Sequence, residues 1–433
     1  MTAPDARPAG WDAAAAERWL LSLELFGMRF GLDRMRRLMT TLDAPHRAFR
    51  AIHVVGTNGK SSTARMTAAL LACHGVRAGA YLSPHLVSFA ERIRVGGEDI
   101  SEQRLATALG RARHASALVD RTLEEGDRVT QFEALTAAAY AELADAGVEV
   151  AVVEAGLGGR WDATNVIDAE VAVLTNVGLE HTRWLGPTVA DIAREKLAVL
   201  APGATLVLGP RLHPDAEAEA ELAARRQRAT IVRAPAEPQG PAEGVALLAR
   251  GAFQRRNFAV ACAAAEACLG RLDAGAVRAA AASTAVPGRF EVLPRDGGPD
   301  VVLDGAHNAS GVAALADSLP EFLAARPLVA VVSVLDDKDA AAMLAALLPL
   351  CAHVVFTANA NPRALSPATL ASLAGQLGAG GWDGVGRVEA DPRRAVALAR
   401  ELAGPGGVVL ATGSIYLIAD LTRPLAAGRG STL

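Results

Sequence analysis

Lysine is almost missing from this 433-residue sequence: nearly every basic residue is arginine, and Lys60, Lys196 and Lys338 are the only exceptions. A lysine ammonium is compact and can give up its proton, which a guanidinium cannot. Three lysines that survive such a bias mark positions where the chemistry can demand that difference, with chance retention as the alternative. Cysteine is scarce too. Cys73, Cys262, Cys268 and Cys351 form no C-x-x-C pair, and they read as small buried hydrophobes in a reducing compartment. No uninterrupted run of about 18 apolar residues exists, which excludes a membrane-spanning helix. The first ten residues carry prolines instead of a basic stretch followed by an apolar core, so no signal peptide is read and a cytoplasmic protein is expected. Excess positive charge is also absent. A net charge of −4 and a pI near 6.2 argue against nucleic acid or an anionic membrane as partner, since both demand a clustered basic face. The group Arg225-Arg226-Gln227-Arg228 reads as solvated helix surface.

What the chain does have is length and apolar content, enough for two well-filled cores. Short β-branched runs alternate with longer helical patterns. Strands are expected at 52–55, 76–82, 148–154, 171–177 and 205–208, then at 301–303, 328–334, 354–357 and 408–411. Phe132, Leu135, Ala139 and Leu143 recur at helical spacing between two of them. Such alternation implies parallel sheets with crossover helices, an α/β protein. Residues 210–250 lose the rhythm and gather Pro, Ala and Glu. Val286-Pro287-Gly288-Arg289 then precedes a fresh strand-helix series, so the domains are expected to be 1–286 and 287–433.

Open parallel sheets hold ligands beyond the carboxyl ends of their strands, and polar residues gather at those ends here. The first strand runs into GTNGKSST: Gly56, Thr57, Asn58, Gly59, Lys60, Ser61, Ser62 and Thr63. Backbone N–H groups and a positive helix end would face a phosphate there, with Lys60 neutralising it. The stretch is not a standard phosphate loop, because Val54 stands where the first glycine belongs. A second strand leads to Ser83-Pro84-His85, and a third ends in Glu154 and runs into GLGGRWDATN. Trp161 stands where a dinucleotide fingerprint needs a small residue, which disfavours a nicotinamide site. Glu154 is well placed to hold Mg²⁺. His181 follows a fourth strand end at Thr175-Asn176 and reads either as a structural histidine or as a ligand of the same ion. Lys196 shares the inward stripe of a helix opening near Thr188, so it must lose its proton, find anionic partners or snorkel to the edge. In the second half, VVLDGAHNASG, VSVLDDKD and VLATGSIY end three more strands with Asp304, His307, Lys338 and Ser414. A cleft between two such rims is a natural place to join substrates.

GTNGKSST, SPHLVSFAERI, TQFEALTAAAY, EAGLGGRWDATN, GLEHTRWLG, IAREKLAVL, GRFEV, DGAHN, DDKD and TGSIY follow one another in this order. In that order they resemble the folylpolyglutamate synthase/dihydrofolate synthase family of the Mur-ligase superfamily, from about residue 31 to residue 416. One departure stands out: Ser61 replaces the middle glycine of the family's G-K-G-[ST], which leaves open which of Ser61 and Ser62 approaches the phosphates. The resemblance implies a Mur-ligase-like α/β fold, with an N-terminal ATPase domain and a smaller Rossmann-like C-terminal domain. It implies an ATP-dependent ligase that adds L-glutamate to dihydropteroate, to reduced folates or to both, through an acyl phosphate. By similarity, Asn58, Gly59, Lys60 and Ser61 would cradle ATP, with Asn257, Arg289 and Asp304. Ser83, Glu154 and His181 match Mg²⁺ ligands, and Lys196 matches a lysine carried as a carbamate for a second Mg²⁺. Met28, Arg29 and Phe30, with Thr130, Gln131, Phe132 and Glu133 and with Trp161, Asp162 and Ala163, would hold the pterin. His307 and Ser414 would meet the incoming glutamate. A monomer is the default. The alternatives are a peptidoglycan-precursor ligase, whose sugar substrate usually brings a further N-terminal domain, and a nucleotide-binding regulator that ligates nothing.

Overall fold

A computed structural model of the chain describes residues 11–24, 31–293, 297–378 and 385–423. They form two compact units. One takes the chain up to Ala246 together with Arg256–Ser283; the other takes Leu247–Arg255 and the chain from Thr284. The division is therefore not the single cut expected at residue 287, because the helix Ala252–Leu269 starts in one unit and continues in the other.

The first unit is built on eight strands: β1 (Arg50–Val55), β2 (Ala78–Tyr81), β3 (Ile93–Val95), β4 (Glu98–Asp99), β5 (Val150–Glu154), β6 (Val171–Leu174), β7 (Thr205–Leu208) and β8 (Thr230–Arg233). Their order across the sheet is β4-β3-β2-β5-β1-β6-β7-β8. From β2 to β8 all neighbours are parallel, and β3 and β4 add an antiparallel hairpin at one edge. β5 and β6 are buried along their whole length, as is β1 after Arg50. Strands covered on both faces show unbroken apolar runs instead of alternation. One face packs Tyr81, Ala151 and Val153 against Leu109, Tyr140 and Leu143; Leu174, Leu206 and Leu208 pack with Ile192, Leu197, Ala216 and Ala220 in a separate cluster. β1 has β5 on one side and β6 on the other. The chain leaves it toward β2 on the β5 side and crosses back to β6, so the loops at its carboxyl end part there and open a crevice.

The second unit has β9 (Glu291–Leu293), β10 (Asp300–Leu303), β11 (Leu328–Val332), β12 (His353–Phe356), β13 (Val385–Val388) and β14 (Val408–Thr412) in the order β13-β12-β11-β14-β10-β9. All pairs are parallel except β9 with β10.

The expected loss of rhythm over 210–250 is corrected by a helix at Pro214–Gln227 and by β8. That helix buries only Ala216, Ala220 and Ala224, a stripe of methyl groups too small to stand out as an apolar face. β8 is a half-exposed edge strand and has no apolar run. β3, β4, β9 and β13 are likewise additions to the expected strands. The first three span no more than three residues each, too short for a periodic pattern to develop.

Candidate active site

The turn between β1 and the helix Lys60–Cys73 is shaped by two glycines. Gly59 caps the helix at φ +80, and a Cβ there would stand 2.5 Å from Asn257 Oδ1. Gly56, at φ +155, would place a Cβ 1.8 Å from Thr175 Oγ1. Any side chain at either position is strained and crowded. The turn is laced to the end of β6: Thr57 N donates to Asn176 O, Asn58 N to Asn176 Oδ1 at 2.9 Å, and Thr175 Oγ1 and Asn176 Nδ2 both donate to Asn58 O. Asn176, noted only as part of a strand end, is thus the main brace of the loop. Lys60 Nζ folds back onto the carbonyls of Gly56 and Thr57 at 3.1 and 3.3 Å.

Glu154, at the tip of β5, is 1% exposed. Its carboxylate accepts from Ser61 Oγ at 2.9 Å and from Ser83 N at 2.9 Å, and Ser61 Oγ also lies 3.2 Å from Ser83 O. Ser61 is the serine whose hydroxyl meets this carboxylate; Ser62 is buried within the helix. His181 stands on the exposed rim in the left-handed region at φ +52, with Nε2 3.8 Å from Glu180 Oε1. Among the described residues no group of three or more His, Cys, Asp or Glu is arranged to hold a metal. The donors brought together at Glu154 are oxygens with two serines, a set that suits a hard cation keeping much of its water shell.

Lys196 is buried and donates to Gly56 O at 2.8 Å. Burial, helped by the charge of Lys60, pulls its pKa down to about 7, against the opposing pull of Glu180 and Asp162. Two retained lysines therefore share one loop carbonyl.

The segment after β5 is closed on itself by Asp162, which accepts from Leu157 N at 2.7 Å and from Thr164 N at 3.0 Å and also engages Thr164 Oγ1. Its carboxyl pKa is raised by burial against these donors. Asp162 thus shapes the loop from within, Ala163 is buried beside it, and Trp161 is 45% exposed on its outside. Thr130 and Glu133 form a capping box on the helix Gln131–Asp145, and Arg34 Nε reaches both Glu133 oxygens at 3.1 Å. Gln131 holds Leu20 O through its side-chain amide at 3.0 Å. Phe132 stacks on Tyr81 and abuts Gly156. Met28, Arg29 and Phe30 lie outside the described residues.

Within the second unit, Asp304 is buried at the end of β10 and accepts from Phe290 N and Ala306 N, each at 2.8 Å. Burial raises its pKa, and Arg289 opposes that rise. His307 Nδ1 lies 2.9 Å from Gly305 O, and Arg289 Nη1 would be 2.7 Å from a Cβ on Gly305. Ser414 caps the helix Ile415–Thr422 at the end of β14. These residues share the carboxyl end of the second sheet. Lys338 Nζ is 3.5 Å from Asp337 Oδ2.

With this geometry in place, residues 54–205 match the Mur ligase middle domain and residues 288–415 the Mur ligase glutamate ligase domain. The dihydrofolate synthase/folylpolyglutamate synthase of Mycobacterium tuberculosis is 38% identical over 379 residues, 80% of this chain and 77% of that protein. The chain belongs to the dihydrofolate synthase/folylpolyglutamate synthase family. A solved M. tuberculosis folylpolyglutamate synthase complexed with ADP superposes with a TM-score of 0.85 at 35% identity, over 95% of this chain and 98% of that one. The bifunctional family member from Yersinia pestis, complexed with AMPPNP and Mn ion, gives 0.81 at 28% identity over 97% and 98%. The fold is the Mur-ligase-like α/β fold. In family terms, sequence reasoning missed the grip of Arg160 and Gly159 on Glu195 and Lys196: Arg160 Nε donates to Glu195 Oε1 at 2.8 Å. Arg160 lies inside the quoted GLGGRWDATN, but nothing in one dimension pairs it with Glu195.

Proposed function

We propose that the protein joins the amino group of L-glutamate to the carboxyl group of dihydropteroate or of a reduced folate, driven by ATP. The observation that supports this best is the meeting of Lys60, Ser61, Ser83 and Glu154 at the mouth of one helix, with Lys196 beneath the same turn.

A carboxylate is too poor an electrophile for an amine. Its oxygen first attacks the γ-phosphorus of ATP, the bond to the bridging oxygen breaks, and ADP leaves an acyl phosphate. The neutral amine of glutamate then attacks the acyl carbon; the carbon–oxygen bond to phosphate breaks, and a proton leaves the nitrogen. Lys60 and the turn amides bind and orient the phosphates as charge moves onto ADP. Ser83, Glu154 and His181 would hold Mg²⁺, which supplies countercharge to the phosphate oxygens when bound. Lys196, with a pKa near 7, is neutral often enough to add to CO₂, giving a carbamate that would serve a second Mg²⁺. Asn257, Arg289 and Asp304 are assigned to the nucleotide, and His307 and Ser414 to glutamate. Thr130–Glu133 and Trp161–Ala163, together with Met28, Arg29 and Phe30, are assigned to the pterin. The active species is a monomer.

The test is phosphate release from ATP with dihydropteroate or tetrahydrofolate, each with and without glutamate. Release that depends on both the acid and glutamate is expected with at least one of the two acids. Glutamate-independent hydrolysis, or none with either acid, would sink the proposal.

A further inference from the structure

The helix Val189–Leu197 ends one residue after Lys196, and its last turn leaves carbonyls that the helix itself cannot satisfy. The segment after β5 meets them. Arg160 N donates to Glu195 O at 2.9 Å, and Arg160 Nε pairs with the Glu195 carboxylate. Beside it, a Cβ on Gly159 would stand 2.5 Å from Lys196 O and 2.7 Å from Glu195 O. Both obstacles are backbone atoms, which cannot swing aside as a side chain does. From Lys196 the chain of contacts continues to Gly56 O through Nζ, and Gly56 is itself wedged against Thr175. An unbroken series of close contacts therefore runs from GLGGRW through Lys196 to the turn before Lys60.

We propose that Gly159 and Arg160 are positioning residues for the nucleotide: by seating GLGGRW on the carbonyls of Glu195 and Lys196 they hold the Lys196 amine against Gly56 O. The segment assigned to the acceptor acid thereby also sets how tightly the turn grips the phosphates of a nucleoside diphosphate. The inference rests on the reading of residues 56–61 as the phosphate-binding turn. It needs neither acceptor nor glutamate for its test.

Binding of ADP with Mg²⁺ to the full chain is measured by calorimetry, without acceptor, for the native protein, Gly159→Ala, Arg160→Ala, Lys196→Met and Gly159→Ala/Lys196→Met. Gly159 does not lie in the left-handed region, so alanine brings crowding without backbone strain. Forcing one methyl into a packed site corresponds to a change of about ten- to a hundredfold in an equilibrium constant, and a loss of ADP affinity in that range is expected. Arg160→Ala removes a half-exposed ion pair and is expected to weaken ADP about two- to fivefold. In the Lys196→Met background, Gly159→Ala should add little, because the link it disturbs is already cut. Native-like ADP affinity in both single variants overturns the inference, and so does a fully additive loss in the double variant. Should Gly159→Ala fail to fold, Arg160→Ala alone and combined with Lys196→Met tests the same link with the same two outcomes. A native protein that does not bind ADP overturns the phosphate-turn reading, an outcome distinct from the others.

Discussion

Replacing Lys196 with methionine should make the protein more stable and inactive. The fall of its pKa from 10.5 to about 7 corresponds to about 5 kcal/mol at the standard conversion. In the unfolded chain the amine is protonated up to about pH 10.5, whereas in the folded chain it is neutral above about pH 7. Between these values the unfolded state binds the extra proton, so stability rises with pH; below the folded value the whole burial penalty is in place. Near pH 7 the native protein carries about 4 kcal/mol of this penalty, and near pH 9.5 about 1 kcal/mol. Methionine abolishes the penalty at both and forfeits the hydrogen bond to Gly56 O, worth about 1 kcal/mol. The variant should therefore exceed the native protein by about 3 kcal/mol near pH 7, with the gap closing to near zero around pH 9.5. Urea unfolding in carbonate-free buffer at the two pH values, with free energies compared for the transition of the first unit, measures this. A gap that does not change with pH would mean that the Lys196 amine is charged and solvated in the folded protein, and the reasoning from its burial would be refuted.

Lys60→Ala should abolish glutamate-dependent phosphate release while leaving the circular dichroism spectrum and unfolding midpoint near native, because the lysine contributes only two hydrogen bonds to loop carbonyls; near-normal rates would remove it from the chemistry. Thr130→Ala should cost about 1 kcal/mol by uncapping the helix Gln131–Asp145. It should also raise KM for the acceptor acid more than KM for ATP, and equal changes would refute the placement of the pterin beside Phe132.

The central strands were legible because burial on both faces leaves no alternative to a continuous apolar run: β1, β5, β6 and β7 fall where such runs stand. Elements whose role is to cover an edge were not, since β8 has no buried residue and the helix before it shows only alanine to the core. The same distinction holds at the site. Polar residues interrupting an apolar strand at its tip are visible in one dimension, so Gly56–Ser61, Ser83 and Glu154 could be grouped before their hydrogen bonds were known. The inward face of Lys196 followed from its place on the apolar stripe of the helix that opens near Thr188. What could not be read was the close approach of other groups to a glycine: the backbone of Glu195 and Lys196 against Gly159, and the side chains of Thr175 and Asn257 against Gly56 and Gly59. A missing side chain leaves no trace in a sequence beyond the letter G. Asp162 carries a similar lesson, for its carboxylate is turned inward to hold Leu157 N and Thr164 N.

The scarcity of lysine gains meaning from where two of the three stand. Both Lys60 and Lys196 direct their side-chain nitrogens at Gly56 O, and the charge of Lys60 lowers the pKa of Lys196. Arginine could occupy neither position on equal terms. Its guanidinium stays protonated at any physiological pH, so at position 196 it would bring a permanent charge into a buried site already facing Lys60. Lysine can escape by losing its proton, which is why burial there is tolerable. At position 60 the need is different: a compact charge follows the turn back to the carbonyls of Gly56 and Thr57, whereas a planar fork with several donors would stay fastened to one arrangement. An arginine at either position should thus fail for opposite reasons, too much charge at 196 and too little freedom at 60.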